Sequence, residues 1–453
     1  MAVVGAGLAG CAAALAAARS GARVLLLESE PVAGGNSRVS AGLVALAGTP
    51  LQESAGVRDG PDCLFTDLRA TGGGANDPAL VRAYADGQPE LQAWFARYGV
   101  RFTALERGAG QSVPRAHQMD AAAAMQAVTA AVSADGIVLR TGVRLERLHA
   151  AGGGMRLETG GGREDAAAVV LATGGFAGSD ELLATFAPSQ RAAIRVGMPG
   201  CRGDGLRMGR ALGAGLRDMG SIKGTFGAHA ESGGGVYHAL LAFYMGGIVV
   251  NRDGLRFVNE ELPYKLLGKA CLAQPGTAAF QLFDDAVMRR SEAGLPLFDP
   301  MAQHRAGRVR QAPDLHGLAR LCGIDPDRLA ATVAAYNAGV AAGADAWGRS
   351  GLCNGAGALV PLRQPPFYAF PCGTALLATY CGLRTSPHGQ VLDVWERPIA
   401  GLFAAGEVGG GFHGTAYMTG AALGAAAFFG DRAGRAAAAH AIKATQGRLI
   451  CRD

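Results

Sequence analysis

Two side chains that can exchange protons, His413 and Tyr417, stand four residues apart in the segment GFHGTAYMTG. The rest of the segment is small, apolar or hydroxylated, and no formal charge occurs between Glu407 and Asp431. A phenol or an imidazole in such surroundings can carry a proton or donate a hydrogen bond to a carbonyl oxygen. The pattern is compatible with a membrane span, a buried helix or the wall of a reaction chamber.

The start of the chain carries a second chemical pattern, a glycine-rich turn. AVVGAGLAGCAAALAAARSGARVLLLESE predicts a strand, the turn, an Ala-rich helix and a second strand. Gly5 permits the tight turn, Gly7 lets a pyrophosphate approach the backbone, and Gly10 lets helix and strand pack closely. Phosphates would lie at the helix N-terminus. Glu28 ends the second strand, 18 residues after Gly10, where a carboxylate can bind ribose hydroxyls.

Three later tracts also end in glycine or short polar residues. They are PVAGGNSRVSAGLV (31–44), AAVVLATGGFAG (167–178) and GLFAAGEV (401–408). The last two each contain a short apolar run that predicts a buried strand. Strands that end in this way indicate one crevice at the carboxyl edge of a parallel sheet.

Composition limits the classes of protein that remain. The chain has 453 residues, enough for two or three domains, and 49% of them are hydrophobic. Its net charge of +5 is spread without a run of Lys or Arg, which argues against nucleic acid and anionic membrane surfaces. Nine scattered cysteines without Cys-x-x-Cys predict reduced thiols in a cytoplasm, with no metal, haem or iron–sulfur site.

The order of these tracts resembles the FAD-binding domain of the fumarate reductase/3-ketosteroid dehydrogenase flavoprotein superfamily. GxGxxG, the acid, GGNS, ATGG and AAGE follow in the same order, and NRDGLRFVNE, PPFYAFP and GQVLD…PIAGLFAAGEVGGG also look like segments of that family. The resemblance implies an α/β fold. A discontinuous, Rossmann-like FAD-binding domain (1–225 and 371–453) would carry an inserted α+β capping domain (226–370). Within the insert we predict a hairpin with an Asp-Gly turn and helices around 278–292 and 314–343.

By that resemblance the cofactor is FAD, held without a covalent bond because no His or Cys lies in the family's attachment context. The ADP half would lie at the glycine turn and Glu28, the adenine near Val143, and the ribitol at Glu407. His413 is interpreted as support beside the flavin, with direct proton transfer left open. The implied cofactor residues are Gly5, Gly7, Ala9, Gly10, Glu28, Ser29, Gly35, Asn36, Ser37, Ala41, Gly42, Val143, Ala172, Thr173, Gly174, Gly406, Glu407, His413, Gly420, Ala422 and Leu423.

The resemblance also indicates which positions of this chain correspond to the substrate-binding residues of fumarate reductases. Those enzymes bind a dicarboxylate with cationic residues and move a proton with an arginine. Burying carboxylates without cations would cost several kcal/mol each, so the uncharged replacements argue against a dicarboxylate. The positions concerned are Thr225, Leu240, Phe243, Tyr264, Ala378 and Tyr417.

The replacements are more similar to 3-ketosteroid dehydrogenases, above all to the Δ4-(5α) branch. Those enzymes carry a segment like the N-E-x-x-P-Y that ends at Tyr264, and a pattern like G-Y-x-S-G…LG…FFG. Here Ala416 replaces the glycine and Thr419 the serine. The resemblance implies that Tyr264 transfers a proton and that Tyr417 and Thr419 form the other polar pair.

Two further features of this implied site concern its walls and its charge. Leu240 and Phe243 would form an apolar substrate wall. Lys265 could favour ionisation of Tyr264 by its charge, or could be solvated.

The sequence therefore predicts an FAD-dependent enzyme that dehydrogenates or reduces a C–C bond next to a ketone in an apolar cyclic, steroid-like substrate. A hydride would pass to flavin N5 and a tyrosine would move the proton. No second dinucleotide motif is evident, so an external electron acceptor or donor is expected. The charge-free segment is assigned to the flavin rather than to a membrane.

Two alternatives stay open at this stage. One is a fumarate reductase-like reductase or dehydrogenase of an unsaturated acid, with Arg202, Lys223 and Lys265 as cations. The other is a flavin-binding protein without catalysis.

Overall fold

The protein is built from short strands and helices of mixed α/β type, as the sequence predicted. The computed structural model describes residues 1–222, 224–352 and 357–450, with the side chains of 447–450 left out. Its strands are β1 Ala2–Val4, β2 Leu25–Leu27, β3 Leu43–Ala45, β4 Ala104–Glu106, β5 Ala116–Gln118, β6 Val138–Arg140, β7 Leu145–Ala151, β8 Gly154–Thr159, β9 Gly162–Ala166, β10 Val169–Leu171, β11 Ile194–Arg195, β12 Leu216–Arg217, β13 Thr225–Ala228, β14 Ile248–Asn251, β15 Ala278–Asp284, β16 Arg310–Ala312, β17 Phe367–Leu376, β18 Gly382–Leu383, β19 Gln390–Leu392 and β20 Pro398–Ala404. Its helices are α1 Leu8–Arg19, α2 Gly35–Arg38, α3 Pro50–Ser54, α4 Pro61–Thr71, α5 Pro78–Asp86, α6 Gln88–Arg97, α7 Ala121–Ala134, α8 Asp180–Phe186, α9 Asp204–Ala211, α10 Tyr264–Leu272, α11 Asp285–Met288, α12 Pro300–Arg305, α13 Leu315–Cys322, α14 Pro326–Ala342 and α15 Ala421–Ile450.

The chain divides into two units, each assembled from separate segments. The first unit comprises Met1–Ala187, Met198–Ile222 and Ala378–Asp453, and the second comprises Pro188–Gly197 and Lys223–Leu377. The sequence-based boundaries at 225 and 370 fall near these limits. The inclusion of 188–197 in the second unit was not predicted, because its strand β11 joins that unit by pairing with the distant β17.

A six-stranded sheet forms the centre of the first unit, in the order β19-β20-β10-β1-β2-β6. Strands β20, β10, β1, β2 and β6 run parallel, and β19 pairs antiparallel at the edge. The three residues of β1 and of β10 are all buried. Such continuous apolar runs are typical of parallel strands covered on both faces. The strand predicted before the first glycine turn and the buried strand predicted before ATGG are thus confirmed.

Two small-residue helices, α1 and α15, pack closely against this sheet and against each other. A Cβ added at Gly430 would lie 2.4 Å from the Ala9 carbonyl oxygen, and one at Gly434 would lie 2.1 Å from that of Ala13. Only glycine therefore permits this backbone-to-backbone approach. The charge-free segment is followed by α15 rather than by a membrane span. Among the described helices, none is both long enough and apolar enough to cross a bilayer.

The second unit is organised around the ten-residue strand β17. Strands β11, β13, β15 and β16 pair with β17, and β14 pairs with β15 on its far side. Aromatic and aliphatic side chains, including Phe243, Phe283 and Phe370, fill the core of this unit. The strand β13 also carries helix α10, which approaches so closely that a Cβ at Gly268 would lie 2.8 Å from the Gly224 carbonyl oxygen.

Some of the helices predicted from sequence for residues 226–370 were wrong. The helix expected at 278–292 is instead strand β15 followed by the four-residue α11. The reason is tertiary, because six of the seven residues of β15 are buried between β14 and β17. The helix expected at 314–343 is two helices, separated at Gly323, whose φ of 67° ends α13. The Asp-Gly turn after β14 is present, but the returning segment contributes only an isolated bridge, from Val250 to Arg256.

Candidate active site

The glycine turn between β1 and α1 has the geometry of a phosphate cradle. Gly5 has a φ of +100°, and a Cβ there would lie 2.3 Å from the Ala172 carbonyl oxygen. A Cβ at Gly10 would lie 1.7 Å from the Gly5 carbonyl oxygen. At Gly7, the N-cap of α1, the nearest atoms are 3.8 Å away. Two glycines are thus needed for packing, while the third leaves open space at the helix N-terminus, where an anion is favoured.

Glu28 is fixed beside this turn at the end of β2. Its Oε2 accepts a hydrogen bond from the Ala6 N–H at 2.7 Å, and its Oε1 accepts one from the Glu30 N–H at 2.9 Å. The Val143 N–H donates to the Glu28 carbonyl oxygen at 2.8 Å. The predicted ribose-binding acid and the predicted adenine-side residue therefore lie side by side.

The short helix α2 brings two predicted residues to the same place. Ser37 Oγ accepts from the Leu8 N–H at 3.2 Å, so its hydroxyl lies at the N-terminus of α1. Asn36 Oδ1 accepts from the Met198 N–H at 2.8 Å, and Asn36 Nδ2 donates to Glu407 Oε2 at 3.3 Å. The side chain of Asn36 thereby connects the GGNS tract with the distant AAGE tract.

Glu407 lies within a set of hydrogen-bond donors from three tracts. Its Oε1 accepts from the Thr379 N–H at 2.8 Å and from Thr379 Oγ1 at 3.2 Å. Burial of the carboxyl raises the pKa of Glu407, although these donors and Asn36 oppose the rise. A Cβ at Gly175 would lie 2.1 Å from Glu407 Oε1, so the ATGG tract must approach this carboxylate as bare backbone.

One buried hydroxyl in this region points to a missing polar partner. Thr173 Oγ1 is enclosed and has no hydrogen-bond partner among the described residues. Buried polar atoms are normally paired, so an orphan calls for a ligand or a water. The open space at Gly7, at the N-terminus of α1, fits the phosphates of a dinucleotide cofactor.

The segment around Tyr417 forms an aromatic cluster with a residue that the sequence analysis did not single out. The rings of Tyr417 and Tyr380 are stacked, with centroids 4.8 Å apart and planes 14° apart. His413 lies 4.8 Å from the Tyr380 ring and 5.4 Å from the Tyr417 ring. The Gly420 N–H donates to the phenol oxygen of Tyr417 at 3.1 Å, immediately before α15 begins. The cluster places a phenol oxygen at a helix N-terminus, which favours developing negative charge.

Thr419 and Asp218 anchor the segment that carries this cluster. Thr419 Oγ1 accepts from the Ala109 N–H at 3.1 Å, so its hydroxyl has a clear structural bond. Asp218 Oδ2 accepts from the Gly411 N–H at 2.9 Å, and burial raises the pKa of Asp218. Asp218 itself has a φ of 63°, uncommon for a residue other than glycine. Neither Asp218 nor Tyr380 carried a sequence signal beyond its place in a recognisable tract.

The second unit holds the other predicted tyrosine. Tyr264 is the first residue of α10 and packs partly buried against the core of this unit. Lys265 follows it with only 8% of its surface exposed, which excludes the solvated interpretation. Its Nζ donates to Thr225 Oγ1 at 2.7 Å and lies 6.0 Å from the centroid of the Tyr264 ring.

The structure gives less support for the other residues that the sequence analysis assigned to substrate binding. Leu240 and Phe243 are fully buried within the core of the second unit, where the Phe226 ring lies 5.5 Å from that of Phe243. Their role as a substrate wall stays a prediction. Arg202 is exposed and donates to the Pro199 carbonyl oxygen. Lys223 lies outside the described residues.

The first unit contains every residue predicted to hold the cofactor. Several owe their identity to backbone demands: Gly42, Gly174, Gly406 and Gly420 all have φ between 72° and 83°. Thr379 and Cys201 join the cluster although the sequence analysis did not select them. Asn36 Nδ2 donates to Cys201 Sγ at 3.5 Å, and burial raises the pKa of that thiol. The predicted members in this unit are Gly5, Gly7, Ala9, Gly10, Glu28, Ser29, Gly35, Asn36, Ser37, Ala41, Gly42, Val143, Ala172, Thr173, Gly174, Gly406, Glu407, His413, Gly420, Ala422 and Leu423.

Comparison with known proteins agrees with this geometry. Residues 1–423 match the family model described as FAD binding domain. A fumarate reductase (cytochrome) of Shewanella frigidimarina is 34% identical over 97% of this chain and 77% of its own length. The open conformation of a flavocytochrome c3 fumarate reductase has a TM-score of 0.84 at 30% identity, covering 97% of this chain and 78% of that one.

A ketosteroid enzyme is also similar in structure. The 3-ketosteroid-Δ4-(5α)-dehydrogenase of Rhodococcus jostii RHA1, solved with 4-androstene-3,17-dione, has a TM-score of 0.75 at 27% identity and covers 96% of both chains. The similarity in sequence to a fumarate reductase means that the nearness to ketosteroid enzymes inferred from the site motifs stays a prediction. The glycine cradle, the orphaned threonine and the match over residues 1–423 together show that the chain belongs to the FAD-binding domain family, as an FAD-dependent oxidoreductase of the fumarate reductase/3-ketosteroid dehydrogenase superfamily.

Proposed function

We propose that this enzyme introduces or reduces a C–C double bond conjugated to a ketone in an apolar cyclic substrate. The observation that carries the proposal is the stack of Tyr380 on Tyr417, with centroids 4.8 Å apart and planes nearly parallel. A flat aromatic surface edged by hydroxyls suits a planar conjugated ring ketone. It offers no cation to a dicarboxylate at a position where, by family resemblance, fumarate reductases keep an arginine.

The proposal gives each tyrosine a role, that of Tyr417 from its hydrogen bond and that of Tyr264 from the family resemblance. The phenol oxygen of Tyr417 accepts from the Gly420 N–H, so its own O–H can donate to the ketone oxygen. A donor held in this way stabilises enolate charge, as an oxyanion hole does. Tyr264 takes the proton from the carbon next to the ketone during dehydrogenation and returns it during reduction. Bound FAD supplies the hydride acceptor or donor at N5.

A reductase or dehydrogenase of an unsaturated acid is the second candidate. Two observations favour it: the 34% identity to a fumarate reductase, and the buried Lys265, which could pair with a carboxylate. The two candidates differ in the polar group of the substrate, which is a ketone in the first and a carboxylate in the second.

Anaerobic reduction of the flavin across a panel of compounds tests the proposal. Saturated cyclic ketones, including a 3-ketosteroid, are expected to bleach the oxidised flavin, and conjugated enones to restore its absorbance after chemical reduction. Unsaturated acids such as fumarate are expected to do neither. Reoxidation by the acids with no response to any ketone or enone would overturn the proposal in favour of the second candidate.

The role of Tyr417 is tested by removing one oxygen. Tyr417→Phe keeps the ring stack but loses the hydroxyl, so flavin reduction by a ketone is expected to slow by about 100-fold while FAD stays bound. Tyr98→Phe, a tyrosine of α6's C-cap, is the matched control and is expected to keep the wild-type rate. Equal rates for the two variants would remove Tyr417 from the chemistry.

A further inference from the structure

Lys265 occupies an unusual position for a cation. It is the second residue of the nine-residue helix α10, whose N-terminal turn carries partial positive charge. That turn, described in full, contains no acidic side chain. The ammonium is also largely buried, which adds a desolvation cost. The positive end of the helix and the loss of hydration both disfavour a charged lysine at position 265. This indicates that Lys265 serves the site rather than the stability of the helix.

The scaffold around Lys265 holds its charge in one place. Thr225 Oγ1 on β13 accepts from Nζ at 2.7 Å. Helix α10 packs closely on the start of β13, where only glycine fits at position 268: an added Cβ would lie 2.8 Å from the Gly224 carbonyl oxygen. Thr374 on β17 adds a bond from its Oγ1 to the Gly268 carbonyl oxygen at 2.9 Å. Sites on rigid elements keep such geometry better than sites on loops.

The charge lies beside the ring of the neighbouring tyrosine. Nζ is 6.0 Å from the centroid of Tyr264, and Tyr264 is at the positive end of the same helix. Both the ammonium and the helix N-terminus stabilise an anion on the phenol oxygen. We infer that Lys265 is a positioning residue that holds Tyr264 in its ionised form, ready to accept the substrate proton. This inference rests on the proposed function, in which Tyr264 is the proton acceptor.

Among the described residues, other titratable groups around Tyr264 and its helix are Tyr237, the exposed Lys269 and the buried Cys271 on α10, and Cys372 on β17. Burial raises the pKa of Tyr237, and the neighbouring Tyr264 adds to the rise. Burial also raises the pKa of Cys271 to about 11 and that of Cys372 well above its ordinary value. Tyr237, Cys271 and Cys372 are neutral at physiological pH and bring no charge to Tyr264, and the exposed Lys269 has the same sign as Lys265.

The test is a titration of Tyr264 in the purified holoenzyme without substrate. The ultraviolet absorbance of phenolate is followed with pH, and the same titration of Tyr264→Phe is subtracted to isolate the one residue. Lys265→Met is compared with wild type in the same way, each with its own Tyr264→Phe partner. The midpoint for Tyr264 is expected to rise by about one pH unit in Lys265→Met. Lys265→Arg keeps the charge and is expected to keep the wild-type midpoint.

Activity gives a second readout that separates this inference from the proposed function. In Lys265→Met, the rate of flavin reduction by a ketone at neutral pH is expected to fall about tenfold with KM unchanged, and its pH profile to move with the midpoint. An unmoved midpoint in an enzyme that oxidises ketones overturns the role of Lys265 and leaves the proposed function standing. A raised KM for unsaturated acids with an unmoved midpoint also overturns it, since Lys265 would then bind carboxylate. If no ketone reacts, the proposed function fails, and the absorbance titration still decides the electrostatic role.

Discussion

At the scale of single residues, the site is defined by polar atoms whose partners come from distant parts of the chain. Glu407 receives hydrogen bonds from Asn36 and Thr379, and Tyr417 stacks on Tyr380. Burial raises the pKa of a carboxyl group, whereas hydrogen bonds donated to its ionised form lower that pKa. In Glu407 desolvation dominates, because its pKa is raised above the ordinary value of 4.5.

This raised pKa predicts a pH-dependent stability that can be measured in the apoprotein. The folded protein holds the Glu407 proton more tightly than the unfolded chain does, so its contribution is complete below the ordinary pKa and is lost as pH rises through the folded pKa. The melting temperature of Glu407→Gln, which cannot ionise, is therefore expected to gain on that of wild type as the pH rises above the ordinary carboxyl pKa of 4.5. A difference in melting temperature that does not change with pH would contradict the prediction.

At the scale of elements, the cofactor site depends on how closely helices approach strands and other helices. Helix α1 reaches β1 and β10 only because Gly10 has no side chain, and α15 reaches α1 only through Gly430 and Gly434. Such contacts involve backbone atoms, which cannot move aside as a flexible side chain can. An added side chain at one of these glycines should therefore displace both the glycine turn and the helix.

Gly10→Ala tests this directly. Its Cβ would lie 1.7 Å from the Gly5 carbonyl oxygen, so the turn and α1 must separate. We expect a loss of about 3 kcal/mol in the free energy of unfolding, together with loss of FAD during purification. Chemical denaturation and the flavin-to-protein absorbance ratio measure the two effects. The control is Gly220→Ala, in the same unit, where an added Cβ meets nothing within 4 Å. Retention of FAD at the wild-type ratio by Gly10→Ala would show that the turn tolerates displacement.

At the scale of the whole molecule, the first unit is assembled from three separate chain segments. Residues 1–187, 198–222 and 378–453 all contribute to it, and predicted cofactor residues lie on the first and the third. A ligand that touches segments so far apart in sequence binds the folded protein and not the unfolded chain. FAD should accordingly act as a major source of stability.

The law of mass action predicts how much bound FAD should stabilise the folded protein. Once free FAD exceeds its dissociation constant, each further tenfold increase is expected to add about 1.4 kcal/mol to the free energy of unfolding. The melting temperature should rise steadily with FAD concentration. ADP-ribose, which lacks the flavin, serves as the comparison and should give a smaller shift because it leaves the contacts near Glu407 unmade. A melting temperature independent of FAD would contradict the placement of the cofactor across the segments.

The sequence by itself determined the cofactor class and the α/β fold, because these depend on local patterns. The turn at Gly5, Gly7 and Gly10 and the acid at Glu28 follow one another within a single strand–helix–strand unit, so spacing alone reveals them.

Only the tertiary structure decided the rest. The stack of Tyr380 on Tyr417 and the bond from Lys265 to Thr225 join residues that are far apart in sequence, and no local pattern records such pairings. Residues 278–284 form a strand because neighbouring strands bury them, which overrides their local appearance as a helix. Local chemistry thus specified what the protein binds, whereas long-range packing decided which side chains surround its tyrosines.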